Sequence, residues 1–374
     1  MSKGSVLITG ATGFVGMEVL ARYLERGDRP IVCLVRAGSD ADARKRLEGV
    51  LGNLFGAGAD KRFAGRVRAV AGDLGAPRLG LTPGRRERLA EEVTTIVHSA
   101  ASVSFALPLE EARAINVEGT RRMLEFATLT QSRGGLRRYA QVSTAYVAGT
   151  HRGPFFERDL DVGQSFRNSY EQSKFEAEQL VQAQDQLPWT IMRPSIVVGD
   201  RRSGWTAAFN VLYWPLRAFS CGVFKAVPAD PSSVLDVVSV DYVADAIYEL
   251  CECDVGVGVG QTFHLTAGPE ATTMGEIAQL ASRYFRRPLP RVVPPSEFSA
   301  ADGGLSAAAL ESSQVYFPYF AIDTEFDNAA TRAQLAPAGI HASPLHDYLE
   351  RLLDFATRSR WGKRPIARAE ALLH

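Results

Sequence analysis

The stretch NSYEQSKFEAEQ, Asn168 to Gln179, carries Tyr170 and Lys174 four residues apart in a segment that reads as helix. Residues at that spacing share one helical face. A phenol beside an ammonium is proton-transfer chemistry: the cation stabilises the phenolate and draws the tyrosine pKa toward working pH. Such a tyrosine gives a proton to a carbonyl oxygen as hydride arrives, or takes one in reverse. The lysine can also hold a nicotinamide ribose. Upstream, QVSTAYV offers the hydroxyls of Ser143 and Thr144 to polarise a carbonyl, and Asn116 in INVEGT offers an amide to anchor a water relay. A Tyr and a Lys at this spacing fall by chance on many helices. Their order gives them weight: glycine loop, Asn, Ser/Thr, then YxxxK, each at the C-terminal end of a successive element. That edge is where open α/β sheets bind ligands.

The elements that would position these groups alternate along the first half of the chain. VLITG, IVCLV, VRAVAGD, TTIVHSA, RRYAQVST and WTIMRPSIVVG are apolar runs rich in branched residues. Between them lie helical stretches such as FVGMEVLARYLERG, DARKRLEGVLGNL, PGRRERLAEE and LEEARAINVEGTRRMLEFATL. Buried strands alternating with helices imply a parallel sheet covered on both faces, and right-handed crossovers make it a doubly wound, Rossmann-type α/β fold. DVVSVDYVADAIYEL is expected to return to the main sheet as strand and helix, and QTFHLTAG to add a further strand. The expected division is residues 1–203 plus 234–267 for the dinucleotide-binding domain, with 204–233 and 268–374 forming a smaller, mainly helical substrate region.

After the first strand stands TGATGFVG, with Gly10, Gly13 and Gly16. A GxxGxxG loop between strand and helix makes a tight turn and lets backbone N–H groups approach a pyrophosphate at the helix N-terminus. NAD would call for an acidic residue at the end of the second strand to bind the ribose 2′-hydroxyl. Arg36 stands there instead, followed by Arg44, Lys45 and Arg46. A guanidinium is a fork for phosphate oxygens, so the expected cofactor is NADPH; some of the three later cations simply form a solvated helix face. Asp73 in AGDL either accepts from the adenine amino group or caps the next turn. In HSAA, the small residues Ser99, Ala100 and Ala101 would let the cofactor ribose lie close to the backbone, while His98 satisfies its ring within the sheet edge.

Composition sets limits. The chain of 374 residues is long enough for a large core and a second, smaller unit. It has 42 basic and 42 acidic residues, so no net field attracts nucleic acid or an acidic membrane. The longest apolar run, GWTAAFNVLYWPL, is too short to cross a bilayer and contains Asn210 and Pro215. No secretory leader is apparent, and the four cysteines show no CxxC or disulfide framework, so a reducing, cytoplasmic setting is expected. Six scattered histidines offer no metal-ligand spacing, and no metal is expected.

GATGFVG, HSAASVSF, NVEGT, VSTAYVAG, YEQSK, RPSIVVGD and DVVSVDYVADAI together resemble an extended short-chain dehydrogenase/reductase, and within that group the thioester reductase and fatty acyl-CoA reductase family, which includes the reductase domains of carboxylic acid reductases. The match runs from Val6 to about Ile247, with a fainter echo at FDNAATRAQL. The resemblance implies NADPH-dependent reduction of an acyl thioester to an aldehyde, and onward to an alcohol if the aldehyde is reduced again. By position it makes Thr144 the hydroxyl, Tyr170 the acid and Lys174 its partner, with Asn116 supporting them. It assigns Arg36 and Arg46 to the 2′-phosphate, and Thr12, Phe14, Val15, Leu74, Pro194 and Ile196 to the cofactor site beside the residues already named. No adenylation or carrier segment of its own is expected, which makes the expected partner acyl-CoA or a thioester on a separate acyl carrier protein.

From Gly204 to Lys225 the chain is aromatic: Trp205, Phe209, Tyr213, Trp214, Phe219 and Phe224. Most are expected to form the core of the smaller region and a subset to line an acyl tunnel. Arg286, Arg287 and Arg291 meet either solvent or a carrier phosphate. Two other chemistries share parts of this pattern: a reductase or epimerase of sugar nucleotides or small alcohols, which calls for a polar substrate region, and a non-catalytic NADP sensor, which needs no Thr–Tyr–Lys set. A Cys221 acyl-enzyme route lacks a local base.

Overall fold

A computed structural model describes residues 4–209, 211–222, 226–254, 256–293, 298, 314–320 and 322–373. Seven strands form the central sheet: β1 (Ser5–Thr9), β2 (Ile31–Arg36), β3 (Val67–Gly72), β4 (Val93–His98), β5 (Arg138–Val142), β6 (Trp189–Pro194) and β7 (Gln261–Leu265). Their order is β7-β6-β5-β4-β1-β2-β3, and every neighbouring pair is parallel. The helices that matter for the site are α1 (Phe14–Arg26), α2 (Asp40–Phe55), α3 (Leu109–Arg133), α4 (Ser169–Gln182) and α5 (Val240–Glu252).

Strand side chains alternate between the two faces, as the pleat requires. Val6, Ile8, Ile31, Cys33 and Val35 pack with α1, α2 and α5 in one apolar cluster. Leu7, Val32, Leu34, Ile96 and Ile191 enter the opposite cluster with Met123 and Phe126 of α3. Both faces are therefore buried, which explains why the strands read as unbroken apolar runs. The chain moves outward from β1 through β2 to β3, then returns to β1's other side as β4. That reversal splays the connections apart at the C-terminal edge and opens a crevice there.

Two expectations change. WTIMRPSIVVG is not one strand. Proline has no N–H for the ladder, and β6 ends at Pro194; Ile196–Val198 then pairs in parallel with Val237–Ser239 as a separate two-stranded sheet. The DVVS segment thus stays outside the seven-stranded sheet, although α5 packs against α1 and β7 joins β6 as expected. A third apolar cluster gathers Tyr146 and Phe155 with Leu212, Tyr213, Leu216, Phe219, Tyr319, Leu349 and Leu352. Trp205, Phe355 and Ala371 instead join the main core, Trp205 lying 6.0 Å from the Phe14 ring. Phe224 falls outside the described residues.

Behind the sheet edge, α4 is fastened to β6 by a fully buried ion pair. Arg193 donates twice to Glu178, Nη2 to Oε2 at 2.7 Å and Nε to Oε1 at 3.1 Å, and both side chains are shielded from solvent. Arg193 Nη1 lies 3.1 Å from Nε2 of His264, whose burial, aided by that cation, pushes its pKa down to about 3. Removing one partner leaves an uncompensated buried charge. Glu178→Ala is expected to cost about 3–5 kcal/mol in urea unfolding; a loss under about 1 kcal/mol, the scale of an exposed pair, would show that this anchor does not hold the helix.

Candidate active site

The crevice at the strand reversal is a cleft of about 1110 Å³. Its floor is the β1–α1 turn. Gly10 has φ +75°, and a Cβ there would stand 2.7 Å from the Ala100 backbone nitrogen. At Gly16 a Cβ would stand 2.1 Å from the Gly10 carbonyl oxygen. Only glycine permits these approaches, so the turn lies flat against the loop after β4. Gly13 caps α1 without a side-chain hydrogen bond, and the first turn of α1 holds no acidic residue. The first N–H groups and the positive helix end therefore stay available for an anion. Gly10, Thr12, Gly13, Phe14, Val15 and Gly16 all line the cleft. Its size, its close-approach glycines and its uncapped helix end fit the pyrophosphate of NAD(P).

Arg36 and Arg46 stand together at the rim beyond β2, and both line the cleft. Arg46 donates to the Arg36 carbonyl oxygen and, at 3.4 Å, to Thr12 Oγ1, which folds it over the glycine loop. The nearby acid, Asp40, is engaged elsewhere: its Oδ1 accepts from Ala71 N and from Arg85, both at 2.9 Å. Asp73 and Leu74 line the opposite wall, where Asp73 Oδ1 accepts from Gly75 N at 2.8 Å and so makes the turn cap. Ser99, Ala100 and Ala101 complete the wall beside β1. Thr9 Oγ1 links that loop to the sheet, accepting from Ala100 N at 3.2 Å and hydrogen-bonding His98 Nδ1 at 2.8 Å. Burial first, and then Lys174, pull the His98 pKa down to about 3, so its ring is neutral.

Thr144, Tyr170 and Lys174 line the same cleft, as do Pro194 and Ile196. Thr144 is held as the cap of a short helical turn, accepting from Tyr146 N at 3.2 Å and donating to Pro194 O at 3.4 Å. Tyr170 occupies the first turn of α4, whose start is set by Asn168 Oδ1 accepting from Glu171 N at 3.0 Å. The expected fall in the Tyr170 pKa does not occur. Burial pushes it up to about 12, opposed by the Thr144 hydrogen bond and reinforced by neighbouring Glu171. Lys174 is buried with its Nζ turned away to donate to Val142 O at 2.9 Å. Burial, partly opposed by Glu178, draws its pKa down to about 8. A phenol that keeps its proton is suited to donating it.

Asn116 stands behind the wall rather than on it. Its Oδ1 accepts from Ser102 N at 2.8 Å, and its Nδ2 donates to Ser102 O at 3.1 Å and to Ser173 Oγ at 3.0 Å. It thereby ties the loop after β4 to α4. Ser143 Oγ is buried at the cleft wall with no hydrogen-bond partner among the described residues.

Several wall residues carried no local sign in the sequence: Val103, Phe105, Ile115, Tyr146 and Tyr319. They form an apolar end beyond Tyr170. The Phe105 ring lies 5.7 Å from that of Tyr170 and stacks on Tyr319 at 5.1 Å. Of the stretch beginning at Gly204, only Ala208 and Val211 reach the cleft among described residues; Trp205, Tyr213 and Phe219 are core. Arg286, Arg287, Arg291 and Cys221 lie outside it, with Arg287 donating to Ser220 O at 3.0 Å. Among the described residues no cluster of His, Cys, Asp or Glu could hold a metal, and no helix is long and apolar enough to cross a membrane.

A Rossmann sheet with this loop and this cleft defines an NAD(P)-dependent oxidoreductase. The family model for the male sterility protein matches residues 8–247, and the chain belongs to that family. It is 32% identical over 289 residues to a component of the linear gramicidin synthase of Brevibacillus parabrevis, covering 75% of this chain and 5% of that protein. It is 31% identical to the carboxylic acid reductase of Mycobacterium marinum, covering 66% of this chain and 23% of that one. The chain thus spans a small part of these relatives' length. The crystal structure of the terminal R domain from the myxalamid PKS-NRPS biosynthetic pathway superposes with a TM-score of 0.82 at 29% identity, covering 97% of this chain and 92% of that one. The chain is thus similar to the reductase domains of larger enzymes.

The Lys174 shift has a consequence for stability. Between pH 8 and about 9.5 the unfolded chain keeps this proton and the folded chain sheds it, so Lys174 makes stability rise with pH. The buried Cys33 and Cys251 thiols, pushed up to about 12, act the other way in the same window, and the buried tyrosines do so above it, because their unfolded counterparts ionise first. Lys174→Met should make the pH slope of stability in chemical denaturation more negative across this window; an unchanged slope would mean that the ammonium titrates normally.

Proposed function

We propose that the chain reduces an acyl thioester with NADPH, giving an aldehyde and a free thiol. The observation that carries this reading is the shared cleft. Thr144, Tyr170 and Lys174 lie on the wall that continues from the glycine loop, and the wall beyond them is aromatic and apolar. An apolar end suits an acyl group and not a sugar nucleotide. The preference for NADPH rests on Arg36 and Arg46 at the β2 rim, with Asp40 already bonded to Ala71 and Arg85.

When bound, the dinucleotide supplies the hydride. The chain's own residues do the rest. Thr144 and Tyr170 hydrogen-bond the thioester carbonyl oxygen and stabilise its negative charge as it develops. Tyr170 then gives its proton to that oxygen, and Lys174, which lines the same cleft, would hold a ribose hydroxyl of the cofactor. Collapse of the resulting hemithioacetal expels the thiol. In sum, acyl thioester, NADPH and one proton give aldehyde, thiol and NADP⁺. A second round on the aldehyde would give the alcohol. Asn116 serves as a positioning residue in this scheme, through Ser102 and Ser173. The reductase-domain relatives favour an acyl group delivered on a carrier protein, with free acyl-CoA as the simpler substitute.

The test follows NADPH oxidation with a long-chain acyl-CoA and with the same acyl group on a carrier protein, with gas chromatography of the products. Turnover with either donor supports the reading, and the product separates aldehyde from alcohol. Tyr170→Phe should lower kcat about 10²- to 10⁴-fold while leaving NADPH affinity intact. A wild-type protein that binds NADPH but turns over neither donor would overturn the reading in favour of a sensor or another substrate class.

A further inference from the structure

The N-terminus of α4 is capped in an unusual way. Asn168 precedes the helix, and Glu171 is its third residue, so the two capping side chains bracket Tyr170. Asn168 Oδ1 accepts from Glu171 N at 3.0 Å, and Glu171 Oε2 accepts from Arg167 N at 2.9 Å. A third group, from far along the chain, closes this arrangement. The Tyr319 hydroxyl accepts from Asn168 Nδ2 at 2.8 Å and donates to Glu171 Oε1 at 2.6 Å. Arg167 Nη1 lies 3.6 Å from the same Glu171 oxygen. Glu171 is fully buried, and burial raises its pKa against the pull of these donors.

The Tyr319 ring is fixed as tightly as its hydroxyl. It stacks on Phe105 at 5.1 Å with an interplanar angle of 15°, and meets Tyr146 edge-on at 5.1 Å. Phe105 in turn packs 5.7 Å from the Tyr170 ring. Tyr319 thus touches both sides of Tyr170: the backbone turn that carries it, through Asn168 and Glu171, and the ring against which its phenol rests, through Phe105. It also lines the cleft.

We propose that Tyr319 is a positioning residue for the reaction, locking the first turn of α4 so that the Tyr170 hydroxyl stays aligned with Thr144. The inference rests on the reductase reading above. Misplacing a catalytic group by a fraction of an ångström costs rate while leaving binding largely intact. The effect should therefore fall on kcat and spare KM.

The experiment uses the full chain with NADPH and an acyl-CoA that the wild-type protein turns over. Tyr319→Phe keeps the ring and removes the hydroxyl. Asn168→Ser keeps a helix-capping oxygen and removes only the amide donor to Tyr319, so it guards against a folding failure of the first variant. Each is expected to lower kcat about tenfold, with KM and the NADPH dissociation constant within about twofold of wild type. The double variant should be little worse than either single one, because both act through the same contact. Unchanged kcat in Asn168→Ser and Tyr319→Phe would overturn the proposal, as would losses that multiply in the double variant or that appear equally in NADPH binding. If the wild-type protein binds NADPH and reduces no thioester, the reductase reading fails instead, and the two failures are distinct.

Discussion

Everything at the site depends on one close contact, that of the β1–α1 turn with the loop after β4. The turn can lie flat because Gly10 and Gly16 present no side chains where a Cβ would meet the Ala100 nitrogen or the Gly10 carbonyl. The reversal of strand order beside β1 opens the crevice, and this contact gives it a thin floor. The start of α1 then faces the cleft uncapped. Thr9, bonded to both His98 and Ala100, holds the two strand ends in register beneath it. Space, exposed N–H groups and a positive helix end arise from that single packing constraint.

The second half of the site is an electrostatic arrangement built on α4. Four of this helix's five ionisable groups stand at 170, 171, 174 and 178, and each is answered from a different direction. Glu178 meets Arg193 of β6; Glu171 meets Tyr319 and Arg167; Lys174 meets the Val142 carbonyl; Tyr170 meets Thr144. The helix is consequently fixed at its start, middle and end. Burial also sets the protonation states, keeping the phenol neutral and weakening the proton affinity of the lysine. A phenol that holds its proton, with the neighbouring lysine's ammonium taken up by the Val142 carbonyl, is a different device from the low-pKa phenol that spacing alone implies.

Much of this was legible in the sequence because it is local. The glycine loop, the Arg36 and Arg46 pair and the Tyr170–Lys174 spacing sit within single strand–helix units, where residue type and periodicity carry the geometry. The direction of Lys174 Nζ was not legible, since it depends on a carbonyl of β5 reached only in the fold. Asn116 reads as a site residue, yet its amide is consumed by Ser102 and Ser173. The aromatic stretch after Gly204 reads as mostly core, and Trp205 and Tyr213 are, but the rings that line the cleft wall near Tyr170 are Phe105, Tyr146 and Tyr319, not a subset of that stretch. Each of those three comes from a different element. The DVVS segment reads as a main-sheet strand because its apolar pattern is indistinguishable from one; its partner strand is decided by Pro194.

Isotope transfer from NADPH deuterated at the hydride-bearing carbon to an acyl thioester, read by mass spectrometry of the product, tests the account most directly. The account predicts one deuterium at the former carbonyl carbon of the aldehyde, or two there if the alcohol forms. Tyr170→Phe should suppress the labelled product while the cofactor still binds. Product without deuterium at that carbon, or labelled product formed at an undiminished rate by Tyr170→Phe, would contradict hydride transfer at a Thr144–Tyr170 site.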